Sequence, residues 1–371
     1  KITITMWKTK MKNKKVVLGL SGGVDSTTAA LILKEKGFEV IGLYFDIHDA
    51  AERGKADINS YCRAAEEAAE QLGIRFLYKN VSRQFSDIVI NDFCSEYIKG
   101  HTPNPCIICN PAVKFKTLID AADEEGAYYI ATGHYADTCF DEDTGIWHIK
   151  RAANTKKDQS YMMYRLEQEV ISRLLLPLNE VDNKEQVREI ARKSTLKNAD
   201  AKDSQEICFI DTDDNYKDYI KRRGYAVSKG NFVDCDGNIL GWHHGIINYT
   251  VGQRKGLGIA FGKPVFVTKI NSETNNITLG PNEDLFTCHV ESERNILTGY
   301  DIIGGETPEE LDGMKVMAKI RYAADPASAV INILPGGKIK TEFKNPQRAV
   351  TPGQSIVFYK DDAVVGGGFI I

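Results

Sequence analysis

The sequence predicts an α/β protein: an N-terminal domain built on a parallel sheet, then a small β-rich central domain, then a C-terminal β-barrel. Two observations carry this. Up to about residue 131, apolar runs of strand length alternate with helical patterns, as parallel strands joined by covering helices require. From about residue 226 the chain turns to short β-rich runs separated by turn signals such as Asp236-Gly237, Pro335-Gly336-Gly337 and Pro352-Gly353, the pattern of small sheets and barrels. The expected boundaries are 11–212, 213–286 and 287–371.

In order along the chain, strands are expected at 15–20, 38–45, 75–79 and 127–131, and helices at 26–37, 60–73, 83–99 and 113–125. Residues 145–151 read as extended, and helical spacing returns at 158–175 and 183–194. An acidic stretch, Asp211 to Asp214, leads into a small helix at 214–223. Val265 to Ile270, Met314 to Tyr322, Ala329 to Leu334 and Ser355 to Tyr359 read as strands. No internal repeat or low-complexity segment interrupts them.

The 371 residues are enough for two or three domains with sizeable cores. A hydrophobic share of 42% and a charged share of 26% are ordinary for a globular protein. The net charge of -4 gives no global basic signature, so nucleic acid would have to be met by local patches. Residues 100–119 and 237–272 contain no Asp or Glu but carry His101, Lys114, Lys116, Arg254, Lys255, Lys263 and Lys269. No apolar run reaches membrane length, and Lys1 to Met11 lacks the apolar core of a signal peptide. Met11 is a candidate start with a leader ahead of it. A cytoplasmic location with no membrane partner is expected.

The most specific motif is Gly19-Leu20-Ser21-Gly22-Gly23-Val24-Asp25-Ser26, directly after Val16-Val17-Leu18. A strand enters a glycine-rich turn and a helix follows, so backbone N–H groups and a helix N-terminus meet at one point. That suits a pyrophosphate, with Ser21 and Ser26 as hydroxyl donors and Asp25 able to help hold a metal. A Walker loop needs Lys where Asp25 stands. A dinucleotide fingerprint needs a third glycine further along. The loop resembles that of the ATP pyrophosphatases, which split ATP between its α- and β-phosphates and adenylate a substrate.

Eight cysteines in a chain expected to be cytoplasmic argue against a disulfide framework. Cys62, Cys94, Cys139, Cys235 and Cys288 stand singly and read as small hydrophobes. Cys106 and Cys109 follow the stiff Thr102-Pro103-Asn104-Pro105 loop, ahead of a helix. Near that helix start and its lysines, a lowered thiol pKa is expected. Cys208 lies in Lys202-Asp203-Ser204-Gln205-Glu206-Ile207-Cys208-Phe209-Ile210. Two readings stay open. One thiol could carry a persulfide that the other resolves by forming a disulfide. Alternatively Cys106, Cys109 and Cys208 could ligate a [4Fe–4S] cluster with one open iron; zinc would more often want a fourth ligand.

Taken together, these segments resemble the bacterial tRNA-specific 2-thiouridylases. The resemblance adds Gly133-His134-Tyr135-Ala136, Lys157-Asp158-Gln159-Ser160-Tyr161, Thr250 to Gly258, Arg321-Tyr322 and Thr351-Pro352-Gly353-Gln354. It implies 2-thiolation of a wobble uridine: ATP with Mg²⁺ adenylates the uracil O2, and sulfur then displaces AMP. By the same matching, Cys208 would carry the persulfide and Cys109 would be the partner nucleophile. Gly19 to Ser26, Phe45 and Gly133 would lie at the nucleotide. Asn104, Pro105 and Cys106 would surround the target base. His134, Lys157, Asp158, Gln159, Arg321, Tyr322 and Gln354 would contact tRNA. The tRNAs implied are those for Lys, Glu and Gln, and a persulfide-relay protein would supply sulfur. Two positions depart from the family pattern: many members carry Asp in place of Cys106, and some carry Met in place of Phe45. The extra thiolate strengthens the cluster reading under reducing conditions, against a Cys109–Cys208 disulfide in air.

Other readings use the residues differently. An amidating ligase would share the 19–26 loop but would not need Cys109 and Cys208. A non-catalytic RNA-binding or metal-sensing protein would not need Asp25 in an intact loop. His134 could be a hydrogen-bonded core histidine, and Lys157-Asp158 a surface ion pair.

Overall fold

The computed structural model describes residues 2–4, 13–48, 58–179, 181, 184–193, 207–210, 214–259, 262–300 and 311–371. Met11, Lys202 to Glu206 ahead of Cys208, and Asp211 to Asp213 lie outside these. The chain divides into two compact units: residues 1–89, 106–209 and 362–364 form one, and 90–105, 210–361 and 365–371 form the other.

The first unit holds the predicted parallel sheet. Its strands are β1 (Lys15–Gly19), β2 (Glu39–Asp46), β3 (Arg75–Asn80), β4 (Tyr129–Ala131) and the two-residue β7 (Leu174–Leu175). Their order is β3-β2-β1-β4-β7, with every pair parallel. Val16, Val17 and Leu18 are fully buried, because helices cover both faces and leave no solvent side for polar alternation. After β1 the chain proceeds to β2 on one flank, and β4 pairs on the other. The carboxyl end of β1 is therefore a topological switch point, where α/β sheets open a crevice. α1 (Val24–Glu35) buries Ala29, Ala30 and Leu33 in the same core, and α2 (Ile58–Leu72) adds Ala65, Ala68 and Ala69. A hairpin of β5 (Asp137–Asp141) and β6 (Ile146–Lys150) stands beside the sheet. Only its second strand was legible in the sequence.

Three predicted helices differ from expectation. The 83–99 segment is α3 (Ser82–Phe85), a π-helical turn at Ser86–Ile90 and α4 (Asn91–Ile98). The 113–125 segment begins earlier, as α5 (Pro105–Cys109), a π-helical turn at Asn110–Lys114 and α6 (Phe115–Glu124). Pro111 accounts for that widened turn, since it has no N–H to give Ile107 and its ring crowds that carbonyl. The 158–175 segment is a 3-10 turn at Ser160–Met163, then α7 (Gln168–Arg173), then β7. Tyr161 and Met163 are fully buried, so their apolar spacing reflects burial on all sides and not one face of a helix.

The second unit contains two β-structures. β8 (Gly230–Val233), β9 (Ile239–His243), β10 (Phe266–Asn271) and β11 (Asn276–Gly280) form a four-stranded sheet in the order β9-β8-β11-β10. The barrel comprises β12 (Phe286–Leu297), β13 (Met314–Lys319), β14 (Ala327–Leu334), β15 (Lys338–Arg348), β16 (Ser355–Lys360) and β17 (Ala363–Ile370). The order is β17-β12-β15-β14-β13-β16, and pairing of β17 with β16 closes it. Val290, Val316, Ile331, Ile339, Phe343, Ile356 and Phe358 fill its interior. No helix among the described residues is long and apolar enough to cross a membrane.

Candidate active site

At the end of β1 the Leu20 N–H donates to the Leu43 carbonyl (2.8 Å), and the chain then turns through Ser21, Gly22 and Gly23 into α1. Gly22 has φ +76°, and a Cβ there would lie 2.6 Å from the Ala64 backbone carbon. Only glycine lets the loop pass so close to α2. The Ser26 hydroxyl accepts from the Ser21 N–H (3.2 Å) and donates to the Gly23 carbonyl (3.1 Å). The Ser21 hydroxyl accepts from the Gly23 N–H (3.4 Å). Gly23 is the N-cap and no side chain caps α1, so the first turn of the helix keeps its capacity for an anion.

A second loop, after β4, supports this one. A Cβ on Gly133 would stand 2.9 Å from the backbone of Asp25 and of Ser26, which fixes the residue as glycine. Buried Tyr135 donates its hydroxyl to Asp25 Oδ1 (2.7 Å). Gln159 in turn holds Tyr135: its side-chain oxygen accepts the Tyr135 N–H (2.9 Å), and its own N–H donates to the Tyr135 carbonyl (2.7 Å). The Phe45 ring packs on Gly19, 3.1 Å from where a Cβ would sit. The structure thus brings Gly19 to Ser26, Phe45 and Gly133 into one neighbourhood, and adds Tyr135. The sequence signal for Tyr135 was its place directly after Gly133-His134.

His134 and Asp158 are not the exposed charges that a tRNA contact suggests. His134 shares a hydrogen bond with the Thr132 hydroxyl (2.8 Å) and stacks on Phe115. Desolvation, aided by the Lys114 charge, pushes its pKa down to about 3, so the ring is neutral at physiological pH. Asp158 is 2% exposed. Its carboxylate accepts from the Ala152 and Ser160 N–H groups and the Ser160 hydroxyl, with Arg151 at 3.6 Å. It organises the loop, with Arg151 as an ion partner. Lys157 is half-buried, its N–H donating to the Asn154 carbonyl.

All eight cysteines are free thiols. The expected lowering of the thiol pKa is overturned. Burial pushes Cys109 up to about 11, and neighbouring Cys106 adds to the rise. Cys208 keeps solvent access, yet protein crowds it enough to push its thiol up to about 12, with Cys106 and Cys109 adding to the shift. Lys114, closing the π-helical turn, is the cation that pulls both thiols downward. Desolvation outweighs that single charge, and sequence cannot show burial. The three cysteines share one neighbourhood. Among the described residues, no three metal-binding side chains are close enough to hold a single metal ion. Beside them Asn110 is buried, its amide donating to the Met162 carbonyl (2.8 Å) and its Oδ1 left without a partner. Of the other cysteines, Cys94 and Cys139 are buried as expected and Cys235 is exposed.

In the second unit, Asn104 and Pro105 end a loop that the barrel grips. The Thr102 N–H donates to the Pro352 carbonyl (2.9 Å), and the Gln354 side chain donates to the Thr102 carbonyl (2.6 Å). Arg321 donates to the Arg348 carbonyl (3.0 Å), and Lys319 lies over the Tyr322 ring. Gln354 and Arg321 are thus engaged within the protein.

Three family models match in succession: a tRNA methyl transferase HUP domain over residues 14–212, a tRNA methyl transferase PRC-barrel domain over 217–281 and an aminomethyltransferase β-barrel domain over 304–370. Among curated relatives, the tRNA-specific 2-thiouridylase MnmA 1 of Caldanaerobacter subterraneus subsp. tengcongensis is 46% identical over 365 residues, covering 96% of this chain and 98% of the relative. The tRNA-specific 2-thiouridylase MnmA of Clostridium perfringens is 45% identical over 367 residues, covering 97% and 99%. A solved U34-tRNA thiolase NcsA from Methanococcus maripaludis is 20% identical, covering 53% of this chain and 61% of that one. Its TM-score of 0.34 carries no argument.

Proposed function

The chain belongs to the tRNA-specific 2-thiouridylase family and is a tRNA-uridine sulfurtransferase; from that premise we propose that it uses ATP to replace O2 of the wobble uridine with sulfur, in the tRNAs for Lys, Glu and Gln. The observation that carries the chemistry is the pairing of a bare-backbone phosphate loop, Gly19 to Ser26, with the two thiols Cys109 and Cys208 in one another's surroundings.

The loop and the start of α1 receive the triphosphate of ATP. Asp25, oriented by Tyr135, is the residue to hold Mg²⁺, which would offset phosphate charge. Phe45 and Gly133 flank the nucleotide. The target uridine leaves its stack and is held by Asn104, Pro105 and Cys106. Uracil O2 attacks the α-phosphorus and pyrophosphate leaves. The terminal sulfur of a Cys208 persulfide then attacks C2, and AMP leaves. Cys109 attacks the Cys208 sulfur, so the bond between that sulfur and the substrate sulfur breaks and thiouridine is released. Alternatively Cys109 resolves the persulfide first and the freed hydrosulfide attacks C2. Both routes end in a Cys109–Cys208 disulfide, which an external thiol reduces before a cytoplasmic persulfide-relay protein reloads Cys208. Burial raises both thiols, so in the empty, unloaded site the free thiolates of Cys109 and Cys208 are the minority form. Lys157, Arg321, Tyr322 and Gln354 contact the tRNA, with the neutral His134 serving as a hydrogen-bonding surface.

The test is anaerobic incubation with unmodified tRNA, ATP, Mg²⁺ and a persulfide donor, then digestion and mass spectrometry of the nucleosides. Wild type is expected to give 2-thiouridine. Cys109→Ser and Cys208→Ser are expected to give none while still releasing pyrophosphate in a tRNA-dependent manner. Thiouridine at the wild-type level from Cys208→Ser would refute the persulfide assignment.

A further inference from the structure

We propose that Phe85 is a positioning residue for sulfur transfer, setting where Cys208 stands relative to Cys109 by acting through Phe209; this rests on the reading that the two cysteines work as a pair. α3 ends at Phe85 and passes into the π-helical turn Ser86–Ile90. Consecutive side chains at this point reach the two cysteine segments. The Gln84 side chain donates to the Ala112 carbonyl (3.1 Å), inside the Asn110–Lys114 turn that follows Cys109. The Phe85 ring meets the Phe209 ring edge-on, with centroids 5.5 Å apart and planes at 68°. Phe209 is the residue next to Cys208.

The two ties differ in strength. Gln84 is exposed, so water competes for its hydrogen bond. Phe85 is 1% exposed and Phe209 5%, and an edge-to-face pair buried this fully resists both sliding and rotation. Phe209 shares its peptide bond with Cys208, so the ring contact is carried directly into the position of the sulfur. Disulfide exchange requires the attacking sulfur to approach along a narrow set of geometries, and small misplacements of a reacting group reduce rates steeply. Phe85 touches no reacting atom and acts only by holding Phe209. Nothing in the first 100 residues marks it as part of the cysteine chemistry, which the sequence places at 106–109 and 208.

The measurement is the equilibrium between the reduced protein and oxidised glutathione. Two thiols become the Cys109–Cys208 disulfide as one glutathione disulfide is reduced to two thiols, and the equilibrium constant reports the effective concentration of one cysteine at the other. Phe85→Leu is expected to lower that effective concentration about tenfold, Phe209→Leu by a similar factor, and the double variant no further, because one contact is lost in all three. Gln84→Ala is expected to change it less than about threefold. The tRNA-dependent release of pyrophosphate should stay at the wild-type level in each. Should Phe85→Leu fail to fold, as judged by circular dichroism, Phe85→Met and Phe209→Leu carry the same comparison. An unchanged equilibrium in a folded Phe85 variant, or losses that multiply in the double variant, would overturn the proposal. The redox titration needs no turnover, so a failure of the cysteine-pair reading shows separately, as full thiolation by Cys109→Ser or Cys208→Ser.

Discussion

The phosphate loop and the cysteine segments lie in the same compact unit, yet they are built in opposite ways. The loop at 19–26 is framed by regular elements: a central strand, a capless helix, and a second glycine turn against which Asp25 and Tyr135 are locked. Cys106 and Cys109 sit on α5, which runs into a π-helical turn, and Cys208 sits on the short segment 207–210, with the thiols of Cys109 and Cys208 pushed up by burial. One site is prepared before its ligand arrives. In the other, burial holds the free thiols of Cys109 and Cys208 toward their protonated form.

The largest effect that could break this contrast is expected at Gly22. Gly22→Ala would put a Cβ 2.6 Å from the Ala64 backbone at φ +76°. It should reduce tRNA-dependent pyrophosphate release by about a hundredfold or more while leaving the Cys109–Cys208 redox equilibrium unchanged. Loss of both would show that the two sites are not separable. Next, Lys114→Gln removes the cation that opposes the burial of both thiols. Thiouridine formation should fall roughly tenfold with adenylation retained, each lost pKa unit corresponding to about tenfold in thiolate.

Titration of the empty enzyme sharpens the same point. Because the raised thiol pKa values put the reactive anion in the minority, iodoacetamide labelling of Cys109 and Cys208 should climb steadily with pH through the mildly alkaline range, with no plateau near neutrality. A plateau there would mean that the thiols are poised and not held back. A smaller change is expected from Tyr135→Phe, which leaves Asp25 without its hydroxyl donor. The Mg²⁺ concentration needed for half-maximal ATP binding, read by calorimetry, should rise about three- to tenfold. The smallest concerns Glu96 in α4, whose pKa is lowered to about 2, first by its hydrogen bond to His101. Its contribution to stability is fully present above its ordinary value of 4.5 and is lost as pH falls through about 2. Glu96→Gln should therefore cost roughly 1–2 kcal/mol at neutral pH and flatten the acid limb of a denaturation profile.

How much of this the sequence shows depends on how local each cause is. The 19–26 loop was legible because strand, glycines and helix start are adjacent. The parallel sheet was legible because burial on both faces writes itself as runs such as Val16-Val17-Leu18. The hydrogen bond from Tyr135 to Asp25 crosses 110 positions, and the Phe85–Phe209 contact also joins distant segments. No local pattern announces either. The thiol pKa values were misread for the same reason: the lysine near Cys109 is visible in the sequence, while the protein that surrounds the sulfur is not. In the barrel, β15 escaped notice because Thr341 points inward between Ile339 and Phe343, which breaks the apolar alternation that would have revealed a strand.

The grip of Gln354 on Thr102 joins positions 252 apart, and Pro352 holds the same residue. During synthesis, the stretch that leads into Asn104 and Pro105 stays without its clasp until residues 352–354 have emerged. Domains tend to fold as they emerge, so the strand, glycine turn and helix start at 15–35 take shape well before this clasp closes. The loop at Thr102 is thus fixed by residues made long after it, and its local geometry is a product of late tertiary closure.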